Sequence, residues 1–367
     1  MEGVVSNSEL RSVFHKRRVL VTGHTGFKGA WLSRWLLELG ADVSGYSLPE
    51  GVGPPSQEFP PGVHSLFEEL ELRTRIDHRE GDITELQPLC ATIQELRPDF
   101  VFHLAAQSLV RLSYRFPVET FQTNLLGTIH VFEALRQLSR PVVCINVTSD
   151  KCYHNQEREE GYHELDRLGG DDPYSCSKAM SELATETYRQ SFFGDGPIKL
   201  ASARAGNVIG GGDWAVDRIV PDCIRALIIG QPIVLRNPSS MRPWQHVLEP
   251  LGGYLRLAAA VSRDSSIFCA AFNFGPAEND LRTVDALVRE IVRHWPGEIG
   301  YTSAQEPIAR ETQRLSLNVR KAEVLLNWRV NWNVHRTVAE TVDWYRRHHA
   351  GVSAEQLTIE QIRRYAG

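Results

Sequence analysis

An α/β fold, a doubly wound parallel sheet followed by a smaller C-terminal substrate-binding lobe, is the class this sequence predicts, and three observations predict it. Apolar runs alternate with helix-length segments through the first two hundred residues. The runs are continuously apolar, as strands are when helices cover both faces of the sheet. A glycine triplet, Gly23, Gly26 and Gly29, falls where the first run gives way to the first helical segment.

Taken in order, the strand-like runs are residues 18–22, 42–46, 100–105, 141–148 and 199–203. Between the second and third, residues 49–61 are rich in Pro, Gly and Glu and read as an exposed loop. A shorter approach leads to Gly81-Asp82-Ile83. Pro173 opens an amphipathic helix that carries Tyr174 and Lys178 on one face, since i and i+4 are neighbours there. Beyond Ala205 the pattern loosens into Gly210-Gly211-Gly212 and Pro-punctuated segments, which mark a second lobe. The division expected is residues 15–204, with a return near 246–274, for the dinucleotide half, and 205–245 with 275–350 for the substrate half.

Size and charge agree with an enzyme of this kind and exclude others. A chain of 367 residues suggests about two domains. A hydrophobic fraction of 42% and a charged fraction of 23% indicate neither disorder nor a coiled coil. The formal net charge of -5 argues against a general nucleic-acid binder, which needs clustered excess Lys and Arg. No run reaches the roughly 18 apolar residues of a membrane helix and residues 1–16 lack a signal-peptide core, so a cytoplasmic protein is expected. Six scattered cysteines, without CxxC or zinc-ligand spacing, read as reduced thiols, and no metal site is expected.

The segment Gly23-His24-Thr25-Gly26-Phe27-Lys28-Gly29 permits a tight turn and a close approach of backbone N–H groups to a pyrophosphate at a helix N-terminus, which makes the sheet Rossmann-like. Asp82 and Ile83, then Leu104, Ala105, Ala106 and Gln107, fall at later strand ends and extend the expected cofactor cleft. Asp82 fits either an adenine amino group or a helix cap. The second strand ends Gly45-Tyr46-Ser47-Leu48, with neither an acid for the ribose nor an arginine for a 2′-phosphate. NAD is the cofactor expected, with NADP left open.

Ser149, Asp150 and Lys151 close the run 141–147, and with Tyr174 and Lys178 they supply a hydroxyl, a carboxylic acid, two amines and a phenol. A phenol ordinarily loses its proton near pH 10, and a nearby ammonium brings that closer to neutrality. Such a set can move the protons of an alcohol oxidation.

Together with Asn124-Leu125-Leu126-Gly127-Thr128, these motifs resemble the extended short-chain dehydrogenase/reductase family that acts on nucleotide sugars, over nearly the whole chain. The strings at 24–29, 149–153, 204–214 and 242–250 are most similar to that family's 4,6-dehydratases, although many of those carry Thr-Asp-Glu where this chain has Ser149-Asp150-Lys151. The resemblance implies oxidation at C4 of the sugar by Tyr174 with Ser149 and Lys178, loss of water across C5 and C6 with Asp150 as acid, and return of hydride to C6. Lys151 is implied either as the C5 base or as a charge on the enolate. Tyr174, Lys178 and Asn124 are implied at the cofactor. Asn207 and Arg242, with Arg236 and Arg310 behind them, are implied at the substrate diphosphate, and Tyr162 and Glu311 in the sugar pocket. A homodimer or higher homo-oligomer is implied, pairing segments 114–138 and 174–193. A 4-epimerase or reductase on the same frame is the rival enzyme, and a cofactor-sensing binding protein the rival of another class.

Overall fold

The computed structural model describes residues 7–49, 59, 62–277, 280–297, 300–303 and 314–367. Most of the loop at 49–61, together with Arg310 and Glu311, lies outside the described residues. Seven parallel strands form one sheet: β1 (Arg18–Thr22), β2 (Asp42–Ser47), β3 (Asp77–Glu80), β4 (Phe100–His103), β5 (Val142–Val147), β6 (Ile198–Ala205) and β7 (Ala271–Phe274). Their order across the sheet is β7-β6-β5-β4-β1-β2-β3. The order reverses beside β1, and in such a sheet the crevice at the carboxyl ends of the strands flanking that point receives the ligand.

The five runs read from the sequence are β1, β2, β4, β5 and β6. Every residue of β4 and β5 is buried, which explains why continuous hydrophobicity revealed them. Strand β3, with sequence DHRE, is an edge strand whose side chains are only partly covered, so it carries no apolar run. Strand β7 arrives after a long excursion and lies parallel to β6, pairing Phe274 with Ala205.

Helices cover both faces. In chain order they include α1 (Asn7–Phe14), α2 (Phe27–Glu38), α3 (Leu86–Leu96), α4 (Gly127–Arg136), α5 (Pro173–Tyr188), α6 (Leu248–Arg263), α7 (Val334–His349) and α8 (Ala354–Ala366). Asp172 caps α5 by accepting from the Ser175 N–H at 2.9 Å, and Pro173 occupies its first turn, where its missing N–H costs nothing. One large core joins α2, α6, α7 and α8 to one face of the sheet, with Trp31, Trp35, Trp344 and Tyr345 fully buried in it. A second core, around Leu89, Ile93, Phe132 and Leu135, packs α3 and α4 on the other face. Segment 114–138 is not one helix: it runs through the end of a short helix at Val110–Arg115, a second at Pro117–Phe121 and a π-helical turn at Gln122–Leu126 before α4. All six cysteines are free thiols. Among the described residues, no helix is long and apolar enough to cross a membrane.

Glu249, in the first turn of α6, ties the C-terminal region to this frame. Its buried carboxylate accepts from the N–H groups of Asn331 and Trp332, at 3.1 and 2.7 Å, and from the Tyr365 hydroxyl of α8 at 2.8 Å. Burial outweighs these donors and pushes the carboxyl up to about 7. A raised folded-state pKa means that the contribution to stability is complete below the ordinary value of 4.5 and is lost as pH rises through about 7. In urea unfolding followed between pH 4.5 and 7.5, wild type should lose about 3 kcal/mol relative to Glu249→Gln, whose side chain does not titrate. Parallel stability curves for the two proteins would contradict this assignment.

Candidate active site

At the end of β1 the chain turns through Gly23, whose φ of 72° lies in the left-handed region. A Cβ there would sit 2.7 Å from the Ala105 nitrogen, and one at Gly29 would sit 2.2 Å from the Gly23 carbonyl oxygen. The loop is thus closed tightly onto the start of α2. Gly26 gives α2 no side-chain cap, and no acid stands in its first turn. Its free N–H groups and positive dipole end are left to a ligand, an arrangement that suits a pyrophosphate. Gly23, Thr25, Gly26, Phe27, Lys28 and Gly29 all line one cleft, as do Asp82, Ile83, Leu104, Ala105 and Ala106. The Thr25 and Ser47 hydroxyls share a hydrogen bond of 2.7 Å at the end of β2. Asp82 accepts from the Thr84 N–H at 2.8 Å and so shapes its own turn; it does not cap α3, which begins at Leu86.

Two expected cofactor residues stand behind this wall. Asn124 is buried, accepts from the Gln107 N–H at 2.8 Å, and donates to the Gln107 carbonyl at 3.0 Å and the Ser177 hydroxyl at 2.9 Å. The Gln107 amide donates to the Leu109 carbonyl and Thr120 hydroxyl, at 3.1 and 3.0 Å. Both side chains hold the loop after β4 in place, and neither lines the cleft.

The proton-moving groups meet at the end of β5. Ser149, Asp150, Lys151, Tyr174 and Lys178 all line the cleft, and all but Lys151 are buried. The Ser149 hydroxyl donates to Asp150 Oδ1 at 3.0 Å and accepts from the Lys151 N–H at 3.2 Å. Asp150 Oδ2 is buried and has no hydrogen-bond partner among the described residues. Burial raises this carboxyl above the ordinary carboxylate range, against the pull of Lys151, Ser149 and Arg242. A Cβ at Gly206 would come within 3.1 Å of that oxygen, so glycine there leaves the acid its room.

The balance at Tyr174 differs from the sequence expectation. Burial dominates and pushes the phenol up to about 12, opposed by the Ser149 side chain and by Arg218. Lys178 is pushed down to about 8 by the same burial, with Glu182 opposing. Burial by the surrounding protein therefore disfavours the phenolate more than Ser149 and Arg218 favour it. Lys28 retains some surface in the cleft, yet its ammonium is surrounded by protein. Burial, with Arg218 and Lys178 nearby, pushes it down to about 7. It donates to the Tyr254 hydroxyl at 3.4 Å.

The opposite wall comes from the segments after β6. Asn207, Arg236 and Arg242 line it. Arg236 pairs with Asp217 at 2.6 Å, and Arg242 donates to the Met241 carbonyl at 2.9 Å. Arg218, which the sequence reading missed, lines the same wall, held by Asp213 at 2.9 Å and the Ser108 hydroxyl at 3.1 Å. The signal for it was available: a charged Asp213-to-Arg218 turn directly after the glycine run. Arg111, also missed, pairs with Asp217 at 3.1 Å. Tyr162 is not in the cleft; its ring stacks on Tyr153 at 5.3 Å and its hydroxyl donates to Asn155 at 2.9 Å. The stem of that loop buries it in a separate small core.

The cleft has a volume of about 1260 Å³. Pockets for single small ligands span roughly 300–1,000 Å³, so this one has room for two ligands meeting at Tyr174. Among the described residues no group of three or more His, Cys, Asp or Glu side chains is arranged to hold a metal ion.

Comparisons with known proteins show the family and the fold. Residues 20–341 match the family model described as GDP-mannose 4,6 dehydratase. The chain is 42% identical over 354 residues to the CDP-glucose 4,6-dehydratase of Salmonella typhimurium, covering 95% of both chains. It is 23% identical to the dTDP-glucose 4,6-dehydratase of Xanthomonas campestris pv. campestris, covering 89% of this chain and 92% of that one. Its fold superimposes with a TM-score of 0.74 on the dTDP-glucose 4,6-dehydratase of Streptomyces venezuelae, solved with NAD bound, at 22% identity over 91% of this chain and 98% of that one.

The glycine loop is the part of the site least able to accept added volume. Replacing Gly29 by Ala sets a methyl group against backbone that cannot swing aside, which should cost about 1–3 kcal/mol in urea unfolding. Binding of the dinucleotide, followed by tryptophan fluorescence, should weaken at least about tenfold, because the cradle itself must open. Wild-type affinity in that variant would contradict the packing described.

Proposed function

The chain belongs to the GDP-mannose 4,6 dehydratase family, within the extended short-chain dehydrogenase/reductases that act on nucleotide sugars, and from that membership we propose that it converts CDP-D-glucose to CDP-4-keto-6-deoxy-D-glucose and water. It is then an NAD-dependent hydro-lyase of deoxysugar synthesis. The observation that carries the dehydratase reading is Asp150 Oδ2: a buried carboxyl oxygen, unpartnered among the described residues, beside a tyrosine and a lysine at the mouth of a strand. An epimerase or reductase needs the tyrosine and lysine but has no leaving hydroxyl for such an acid to protonate. The choice of CDP is supported by the 42% identity to the Salmonella typhimurium enzyme.

The residues at the end of β1 fit NAD. The Gly23–Gly29 cradle would hold its pyrophosphate, Asp82 and Ile83 its adenosine, and Ala105, Ala106, Tyr174 and Lys178 its nicotinamide half. The Glu68 carboxylate, which also lines the cleft, would repel a 2′-phosphate, which favours NAD over NADP. When bound, NAD supplies the acceptor for the C4 hydride and later its donor at C6.

Tyr174, as its phenolate, takes the proton of the 4-hydroxyl and becomes a phenol; the Ser149 hydroxyl and the Lys178 ammonium stabilise that phenolate before the transfer. The 4-ketone makes the C5 proton acidic. Asp150, kept protonated by burial, gives its proton to the departing 6-hydroxyl. Lys151, entering as the amine, takes the C5 proton, stands as an ammonium beside the enolate, and returns the proton to C5 when hydride reaches C6. Asn207, Arg236 and Arg242, with Arg218, receive the diphosphate, since a guanidinium donates in a planar fork. Residues 205–245 and 275–350 form the substrate half in this reading. A second copy of the chain covers the packed helices on which Tyr114, Val118, Leu126, Met180, Leu183 and Phe192 lie exposed, giving a homodimer. Reduced cysteines and a nucleotide-sugar substrate fit a cytoplasmic setting.

Incubation with CDP-glucose and NAD, analysed by mass spectrometry and NMR, should yield the 4-keto-6-deoxy sugar. A product that is only a stereoisomer would defeat the proposal. Asp150→Asn should slow elimination at least about a hundredfold while C4 oxidation, followed as NADH absorbance, persists. Equal loss of both steps would remove Asp150 from the role of acid.

A further inference from the structure

The two segments that bear the proton-moving groups are far apart along the chain and are clasped by one buried carboxylate. Glu182 lies on α5 one turn beyond Lys178 and two beyond Tyr174, and only 3% of its surface is exposed. Its carboxylate accepts the hydroxyl of Thr148, the residue that immediately precedes Ser149-Asp150-Lys151. It also accepts the Ser202 hydroxyl at 2.8 Å and the Arg204 guanidinium at 2.7 Å, both from β6. Arg204 continues the clasp by donating to the Tyr153 hydroxyl at 2.7 Å and the Glu164 carbonyl at 3.1 Å, in the loop that links the two segments. The Tyr153 hydroxyl in turn donates to Asn273 of β7 at 2.7 Å.

We infer that Glu182 is a positioning residue for the reaction, setting the Tyr174 and Lys178 helix against the Ser149–Lys151 strand end and supplying the fixed negative charge that keeps Lys178 an ammonium. The inference rests on the dehydratase reading for its kinetic part. Its chemistry is that of a buried ion pair with both carboxylate oxygens hydrogen-bonded. A carboxylate there is expensive to desolvate, yet Arg204 and the two hydroxyls hold it ionised, below the usual carboxylate range. Apolar residues of the same volume would fill the space at no electrostatic cost, but they would fix neither the distance nor the field.

Several groups face Lys178, and their signs matter. On its own helix are Tyr174 and Glu182; Lys28 approaches from α2, His103 from β4 and Cys152 from the turn after β5. His103 is held neutral, well below its ordinary range, by burial. Burial likewise keeps the Cys152 thiol protonated. Lys28 opposes a second charge at Lys178, so Glu182 is the neighbour that sustains it.

Charge and clasp can be separated by two substitutions in the full-length protein. Glu182→Gln keeps the shape and removes the charge; Thr148→Val keeps the charge and removes one hydroxyl of the clasp. In Glu182→Gln, the alkaline limb of the kcat profile should move down by about one pH unit. The midpoint of Lys178 acetylation, read by trace labelling and peptide mass spectrometry, should move with it. In Thr148→Val, kcat should fall about tenfold, with KM for CDP-glucose and the labelling midpoint unmoved. An unchanged midpoint in Glu182→Gln, or wild-type kcat in Thr148→Val, overturns the inference. If Glu182→Gln does not fold, Glu182→Asp replaces it: a shorter acid should lower kcat without moving the midpoint, and wild-type kcat would overturn the positioning role. Should wild type fail to turn over CDP-glucose, the dehydratase reading falls, and the labelling midpoint still decides whether Glu182 controls Lys178.

Discussion

The seam between β5 and α5 is polar, and the site depends on it. Buried strand and helix faces usually meet through methyl groups, whereas here Asn146 donates to the Ser181 and Thr185 hydroxyls at 3.2 and 2.8 Å. Asn124 reaches Ser177 in the next turn of the stripe. Thr128 joins His103, which the Thr22 hydroxyl holds from the other side at 2.7 Å. Apolar packing tolerates a sliding helix; hydrogen bonds with every partner satisfied specify one register. The stripe Ser177, Ser181, Thr185 therefore decides where Tyr174 and Lys178 stand relative to the end of the strand.

Electrostatics adds a second constraint. Seven Lys and Arg side chains, among them Lys28, Lys178, Arg218 and Arg242, line the cleft together with seven Asp and Glu side chains, among them Asp150, Asp213 and Asp217. A dinucleotide and a sugar diphosphate both bring phosphate, one to the α2 terminus and the other to the arginine wall. Excluding water between them then favours the low dielectric that holds Asp150 protonated.

Much of this was legible in the sequence for a simple reason: strands buried on both faces are written in apolar letters, and the loops that follow them carry the chemistry. β1, β4 and β5, the glycine loop and the Tyr174 to Lys178 spacing all show themselves in that way. β3 did not, because an edge strand of Asp, His, Arg and Glu looks like surface. Asn124 and Gln107 were legible as residues of the site but not as its masonry, since spacing cannot tell a side chain that faces a ligand from one that faces a loop. Tyr174 shows the limit for energetics: the lysine was visible, whereas the burial that outweighs it arises only once the chain has closed over both. Glu182 was missed for a related cause, being a single charge whose partners follow β5 or lie on β6.

The last helix has a consequence for how the protein comes into being. α8 packs against α2, with Tyr365 edge-on to Trp35 at 5.8 Å and Arg363 paired with Glu38 at 3.1 Å. Helix α2 carries the glycine loop at its other end. On the ribosome, the dinucleotide half is translated first but remains without one of its supports until residues 354–366 have emerged. The helix that bears the glycine loop thus owes one of its packing partners to the last helix to be made.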